Sequence, residues 1–402
     1  MSKNLLFVSI AFPPKNDPEC VQAGRYAFYL KKNFDWNITI VTSKIPTLFM
    51  PYDESLERFS KDFRYIEILI FENKYINKLI SIFIPKLLNQ PDSKFSFFKQ
   101  WKRVIKKYDK PDIIYSRSFP LSSALMALKL KEHYNVPWIM HLSDPWVESP
   151  LHGMKNKYHR LMEMKCFEKA NYISFTTKEA LDLYVKKYPD FEKKFFVSTN
   201  VYEDISINPV SNQRHNESKL KIVYTGGLAS TRTAKHILEA LSKAIDIKPE
   251  LMNIFELVFA GDVDRNNLNL FKKYKSIRNL KYLGPVTSKV ASQLQDEADF
   301  LIVIDSKIRE KDKNVFLPSK LLDYACKVKR IIAITDSKSP TAKFIEKYGG
   351  KSFYFDDETA LVNFFLNIDN YKDIEPTRVP QEFSISFQSN ILNRKLISLK
   401  GI

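Results

Sequence analysis

The chain has 402 residues, too many for one hydrophobic core, so two domains of about 200 residues each are expected. Its 44% hydrophobic residues are enough to fill both, no run reaches the ~18 uninterrupted apolar residues of a spanning helix, and Cys20, Cys166 and Cys326 lack Cys-x-x-Cys spacing. That excludes a cysteine metal site and a disulfide framework, and it fits a reducing, cytoplasmic compartment, while a formal net charge of +17 calls for a polyanionic partner, nucleic acid or an anionic membrane surface.

In chain order, the opening Lys3 followed by Leu5 to Phe12 lacks a small-residue cleavage site and runs into Pro13-Pro14. It reads as a first strand rather than a signal peptide. Strands are expected at Leu5–Ile10, Ile38–Val41, Tyr65–Ile70, Ile113–Tyr115, Trp138–His141, Tyr172–Phe175 and Phe195–Ser198. The polar stretch 203–219 breaks the pattern and is the expected linker between an N-terminal domain, 1–202, and a C-terminal domain, 220–379. Strands resume at Lys221–Thr225, Phe255–Ala260, Leu280–Leu283, Phe300–Ile304, Arg330–Ile334 and Ser352–Phe355, and the tail 380–402 is amphipathic. Strand and helix patterns alternate throughout, which predicts an α/β protein with two parallel sheets, each covered by helices on both faces.

The run Ile222-Val-Tyr-Thr-Gly-Gly-Leu228 ends a buried strand in two glycines, and a helix with Ile237, Leu238 and Leu241 on its buried face is expected to begin behind them. Gly226 and Gly227 let the backbone approach a ligand, and free N–H groups at a helix start favour phosphate oxygens. Phe300–Ile304 is followed by a polar loop, Asp305 to Asn314, and by a helix expected to start at Pro318, where Lys320 and Asp323 share one face. Lys320 is placed to reach a diphosphate and Asp323 to accept hydrogen bonds from a ribose diol. Asp262-x-Asp264 also follows a strand, as metal-holding carboxylates do in some transferases, but its place behind Gly-Gly-Leu argues against a metal. His141, His152 and His159 lack a ligand-like carboxylate or cysteine pattern, so no zinc site is read.

Gly226-Gly227-Leu228, Arg232, Leu283-Gly-Pro-Val286 and Leu317-Pro-Ser-Lys-Leu-Leu-Asp-Tyr324 together resemble the donor half of a family-four glycosyltransferase. In the first half Leu5–Ile10, Phe12-Pro13-Pro14, Gly24-Arg25, Lys110–Tyr115 and Val136–Trp146 resemble the acceptor side of the same family, in register from about residue 3 to 350. The resemblance implies the GT-B architecture: two Rossmann-like domains facing across a cleft, with the last helix crossing back to the first domain. It implies transfer of a hexosyl or N-acetylhexosaminyl group from a nucleotide-diphosphate sugar, with retention and without a metal or other cofactor. His141, Arg232 and Lys320 take the catalytic positions. Gly226, Gly227, Gly284, Val286, Pro318, Ser319 and Asp323 take the donor-binding ones, Gly284 to Val286 offering backbone groups to the base. Pro14, Gly24, Arg25 and Asp144 take the acceptor side, with Gly24 and Arg25 expected to open the helix after the first strand. Asp144 is read equally as a helix cap or turn residue before Pro145, and Arg25 also as a surface residue.

Two positions depart from the family pattern. Many members carry Glu-x7-Glu; Asp323 matches the second position, but the first is Val315. Gly226-Gly227 replaces a common Gly-Arg, so Arg232 and Lys320 must neutralise the diphosphate themselves. The Gly-Gly-Leu and Pro-Ser-Lys branch is similar to enzymes of bacterial surface polysaccharide synthesis, which implies a glycan or polyprenyl-diphosphate-linked acceptor. Between Lys74 and Lys110, Phe95, Phe97, Phe98 and Trp101 interleave with lysines, the composition of a segment lying in a headgroup layer or of a core-facing helix with a solvated face. The expected place is therefore the cytoplasm, peripheral on the inner face of the plasma membrane. The alternatives are a nucleotide-sugar 2-epimerase of the same fold and, with no nucleic-acid motif to support it, a nucleic-acid-binding protein.

Overall fold

The computed structural model describes residues 3–44, 50–70, 73–84, 88–151, 154–204, 219–229, 231–309 and 311–400. Two compact units form: residues 1–201 together with 382–402, and residues 202–381. Most of the expected linker, 205–218, and His152 lie outside the described residues.

The first unit is built on a seven-stranded parallel sheet in the order β3-β2-β1-β4-β5-β6-β7. Its strands are β1 (Asn4–Val8), β2 (Asn37–Ser43), β3 (Arg64–Ile68), β4 (Ile113–Ser118), β5 (Trp138–Leu142), β6 (Tyr172–Phe175) and β7 (Phe195–Val197). The second has six parallel strands in the order β10-β9-β8-β11-β12-β13. These are β8 (Leu220–Thr225), β9 (Phe255–Ala260), β10 (Leu280–Tyr282), β11 (Phe300–Ile304), β12 (Arg330–Thr335) and β13 (Lys351–Tyr354). Both orders are those of a doubly wound, Rossmann-like sheet, which reverses direction between β1 and β4 and again between β8 and β11. Right-handed crossovers then put helices on both faces, and ligands belong at the carboxyl ends beside each reversal.

All thirteen expected strands are present, and the central ones, buried on both faces, read as apolar β-branched runs. β4 runs past its expected end to Ser118, pairing Arg117 with His141 and Ser118 with Leu142 of β5, and the Arg117 charge is buried there against Glu19. The Pro18–Phe34 helix begins where Asp17 accepts from the Glu19 N–H and Pro18 takes the first turn. The last helix, Ile385–Lys400, buries Ile385, Leu392 and Leu396 in one core with Leu5, Phe7, Trp36 and Ile113. Trp36 Nε1 donates to Asn393 Oδ1 at 2.8 Å, so the C-terminal segment completes the first unit.

Candidate functional site

The carboxyl ends of β8, β9 and β10 each carry a glycine at positive φ: Gly226 at 124°, Gly261 at 145° and Gly284 at 73°. Gly226 N donates to Ala260 O and Gly261 N to Gly284 O, each at 2.8 Å, so the three strand ends are laced together. A Cβ on Gly261 would stand 2.2 Å from Gly226 O, an approach that only glycine permits. The helix behind the glycines opens only at Lys235, not directly after Gly227. Arg232 is thus a loop residue, and the cradle owes little to helix N–H groups.

Lys320 closes the pocket left by the missing Gly226 side chain. A Cβ there would lie 2.4 Å from the Lys320 ammonium. That ammonium donates to Tyr224 Oη and Thr225 O, each at 3.0 Å, and sits 4.2 Å from the centre of the Tyr224 ring. All of these partners are neutral. Burial, reinforced by the nearby Arg232 guanidinium, pushes the Lys320 ammonium well below the usual lysine range. Arg232 keeps a buried Nε with no hydrogen-bond partner among the described residues. Neither cation makes an ion pair among the described residues. Asp305, directly after β11, is a carboxyl that interacts with both charges: burial lifts it to about 6, against a hydrogen bond from Thr335 and the Arg232 charge. Tyr324 braces the cradle, its hydroxyl accepting from Thr225 N at 3.0 Å. Tyr224, Asp305 and Tyr324 were not among the sequence-derived site residues. Their position at or packed on strand carboxyl ends is the signal that marks them.

Pro318 caps the helix Ser319–Ala325, so helical geometry starts one residue later than expected. Asp323 is half-buried one turn beyond Ser319, and Val286 is half-buried in the loop after Gly284. Val315 is 3% exposed, an apolar core residue that offers no substitute for a glutamate. Asp264 caps the helix Arg265–Lys273 by accepting from Asn267 N at 2.9 Å, so this half of the Asp-x-Asp pair serves a local role.

In the first unit, His141 lies on β5 and is fully buried. Its Nδ1 is 2.9 Å from Ser174 Oγ, while Nε2 is buried with no partner among the described residues. Burial, and then the charge of Arg117, holds it well below the usual histidine range, so the ring is neutral. Gly24 and Arg25 do not open the helix after β1; they sit within it. A Cβ on Gly24 would be 2.4 Å from Pro13 Cγ, and the Arg25 guanidinium donates to Val201 O at 2.6 Å, so both are engaged in packing within the unit. Pro14 O accepts from Asp53 N at 2.8 Å. Asp144 lies in the loop after β5, and that loop is held by a group the sequence did not mark: Glu163 accepts from Val147 N, Tyr184 Oη and Tyr188 Oη at 2.9, 2.7 and 2.9 Å.

No family model and no curated protein matches the chain. Solved structures do. A glycosyltransferase from Rickettsia africae ESF-5 shares 15% identity over 99% of this chain and 98% of its own, with a TM-score of 0.64. The Anabaena protein HepE, solved in complex with UDP, shares 11% over 100% and 98%, with a TM-score of 0.58. A Listeria monocytogenes protein assigned as a UDP-N-acetylglucosamine 2-epimerase shares 13% over 99% and 96%, with a TM-score of 0.62. At such identities the likeness establishes the fold: this chain has the GT-B architecture, two parallel α/β sheets of seven and six strands.

Proposed function

We propose that the chain is a glycosyltransferase that moves a hexosyl or N-acetylhexosaminyl group from a nucleotide-diphosphate sugar to a glycan or polyprenyl-diphosphate-linked acceptor. The observation that carries this reading is the Lys320 ammonium lodged over Gly226 among neutral partners and coupled to the Arg232 guanidinium. Two clustered, partly desolvated cations set against the single Asp305 carboxyl leave positive charge in excess, and a diphosphate supplies the remaining countercharge. As the bond to the sugar breaks, negative charge grows on the leaving phosphate and the same two cations stabilise it. Protein cations at that place make a metal unnecessary. Retention, with the acceptor proton passing to the departing phosphate, follows from the resemblance to family-four enzymes, as does a role in bacterial surface polysaccharide synthesis at the inner face of the membrane.

A nucleotide-sugar 2-epimerase is the second reading, favoured by the buried Asp305 carboxyl beside Arg232 and weakened by the apolar Val315. Formation of an epimerised sugar nucleotide without acceptor distinguishes it.

The test is a thermal-shift series with UDP, GDP, CDP, ADP and TDP, with and without EDTA. One nucleotide is expected to raise the midpoint regardless of EDTA, by about 2.7 kcal/mol of stabilisation at 100 times its dissociation constant. Lys320→Met is expected to abolish the response while keeping or raising the basal midpoint, because a desolvated charge is removed. An unchanged response in that variant refutes the diphosphate role.

A further inference from the structure

We infer that the helix Lys74–Phe83, together with the basic run from Lys99 to Lys107, docks on an anionic lipid bilayer, the helix laying an apolar stripe into the headgroup layer. This deepens the proposed function, since a lipid-linked acceptor is met at a bilayer surface, and it rests on that reading for its purpose alone. Tyr75, Leu79, Ile82 and Phe83 are 79%, 55%, 62% and 77% exposed. They occupy positions i, i+4, i+7 and i+8, a single face of the helix. Leu69 before the helix and Ile84 after it are exposed as well, at 65% and 57%. Single exposed apolar side chains are ordinary on soluble proteins, but a contiguous stripe of this size marks a surface that something covers.

Charge decides what covers it. Between Lys74 and Lys110 there are ten lysines and arginines against two aspartates. Lys99, Lys102, Arg103, Lys106 and Lys107 are all exposed. They are tied to the same region, because Gln100 Nε2 donates to Leu69 O at 2.8 Å. A second copy of this chain would bring two such cationic clusters together, which opposes self-association. Nucleic acid would satisfy the cations and leave the stripe of tyrosine, leucine, isoleucine and phenylalanine in water. An anionic bilayer satisfies both, drawing in the cations and burying the apolar face at the level of the acyl chains. No helix among the described residues is long and apolar enough to cross a membrane, so the contact is interfacial.

The experiment is co-flotation of the full chain with vesicles of phosphatidylglycerol and phosphatidylethanolamine, against vesicles of phosphatidylcholine alone. The wild type is expected to float with the anionic vesicles at low salt and to remain below with the neutral ones. Ile82→Asp with Phe83→Asp is expected to lower partitioning at least ~100-fold, as does loss of two buried large apolar side chains in general. Lys102→Glu with Arg103→Glu is expected to weaken it at low salt, and less so at high salt, where charge is screened. Leu79→Asp provides a second, milder variant, and an unaltered tryptophan melt certifies folding of each. Equal flotation of the wild type and the Ile82/Phe83 variant overturns the proposal. So does self-association that Phe83→Asp abolishes without any vesicle binding, or salt-sensitive binding to a DNA oligonucleotide without flotation. The nucleotide thermal shift is read in parallel: its absence in a wild type that floats defeats the transferase reading and leaves the docking surface standing.

Discussion

Gly226 shows how one residue joins fold to chemistry. Its φ of 124° lies where side-chain-bearing residues are strained, and the volume a Cβ would take holds the Lys320 ammonium instead. Gly284, also at positive φ, faces open space. Gly226→Ala and Gly284→Ala should therefore separate two effects. Both carry a backbone cost of about 1–3 kcal/mol, measurable as a lowered urea midpoint. At Gly226 the steric conflict falls on the far end of a flexible lysine, which withdraws. Its stability loss then stays in the same range, while the nucleotide response disappears because the cation has left the cradle. Replacing Lys320 by Ala in the Gly226→Ala background should add little further functional loss, the non-additivity expected of residues in contact. A full nucleotide response in Gly226→Ala refutes the arrangement.

At the scale of elements, strands were readable and helix starts were not. β5, β8, β9 and β11 are buried along most or all of their length, so their sequences are apolar runs with no alternation to misplace. The helix after β1 was set at Gly24 when it begins at Pro18, because the Asp17 cap and Pro18 were overlooked in favour of a glycine that serves packing. That Lys320 stands beside Gly226 at the end of β8 was legible from its motif. Asp305 and Glu163 were not, since what makes them matter is burial and partners far along the chain. Glu163 belongs to the helix Lys157–Lys169, yet it anchors the loop after β5 and two tyrosines.

Burial lifts the Glu163 carboxyl from an ordinary 4.5 to about 7. A proton held more tightly by the folded state gives a stabilisation that is complete below about 4.5 and is lost as the pH rises through about 7. Glu163→Gln keeps the shape and can still accept from Val147 N and Tyr184 Oη, but it does not titrate. The stability of the wild type relative to this variant should thus fall between pH 4.5 and 7, by on the order of 3 kcal/mol. Because His141 and Asp305 titrate in both proteins, the difference between their urea unfolding curves isolates Glu163. A difference that is flat with pH refutes the assignment.

At the scale of the whole molecule, the first unit is assembled from two ends of the chain, and its stability should depend on the second piece. Ile385, Leu392 and Leu396 are all fully buried, and Asn393 satisfies the Trp36 indole. Removing three such side chains from a core costs about 5–9 kcal/mol at 1.5–3 kcal/mol each, as much as the entire stability of many domains. All four tryptophans, at positions 36, 101, 138 and 146, fall in that first unit, so their fluorescence reports on it alone. Every group proposed to hold the diphosphate, from Gly226 to Asp323, falls in the second. Truncation after Gln381 should therefore abolish the cooperative tryptophan transition at room temperature, yet leave a calorimetric transition that one nucleoside diphosphate still raises. A tryptophan melt within a few degrees of the full-length chain would show that the last helix is dispensable to the first unit. Loss of the nucleotide response, with a calorimetric transition still present, would show that the donor site needs more than the residues from 202 to 381.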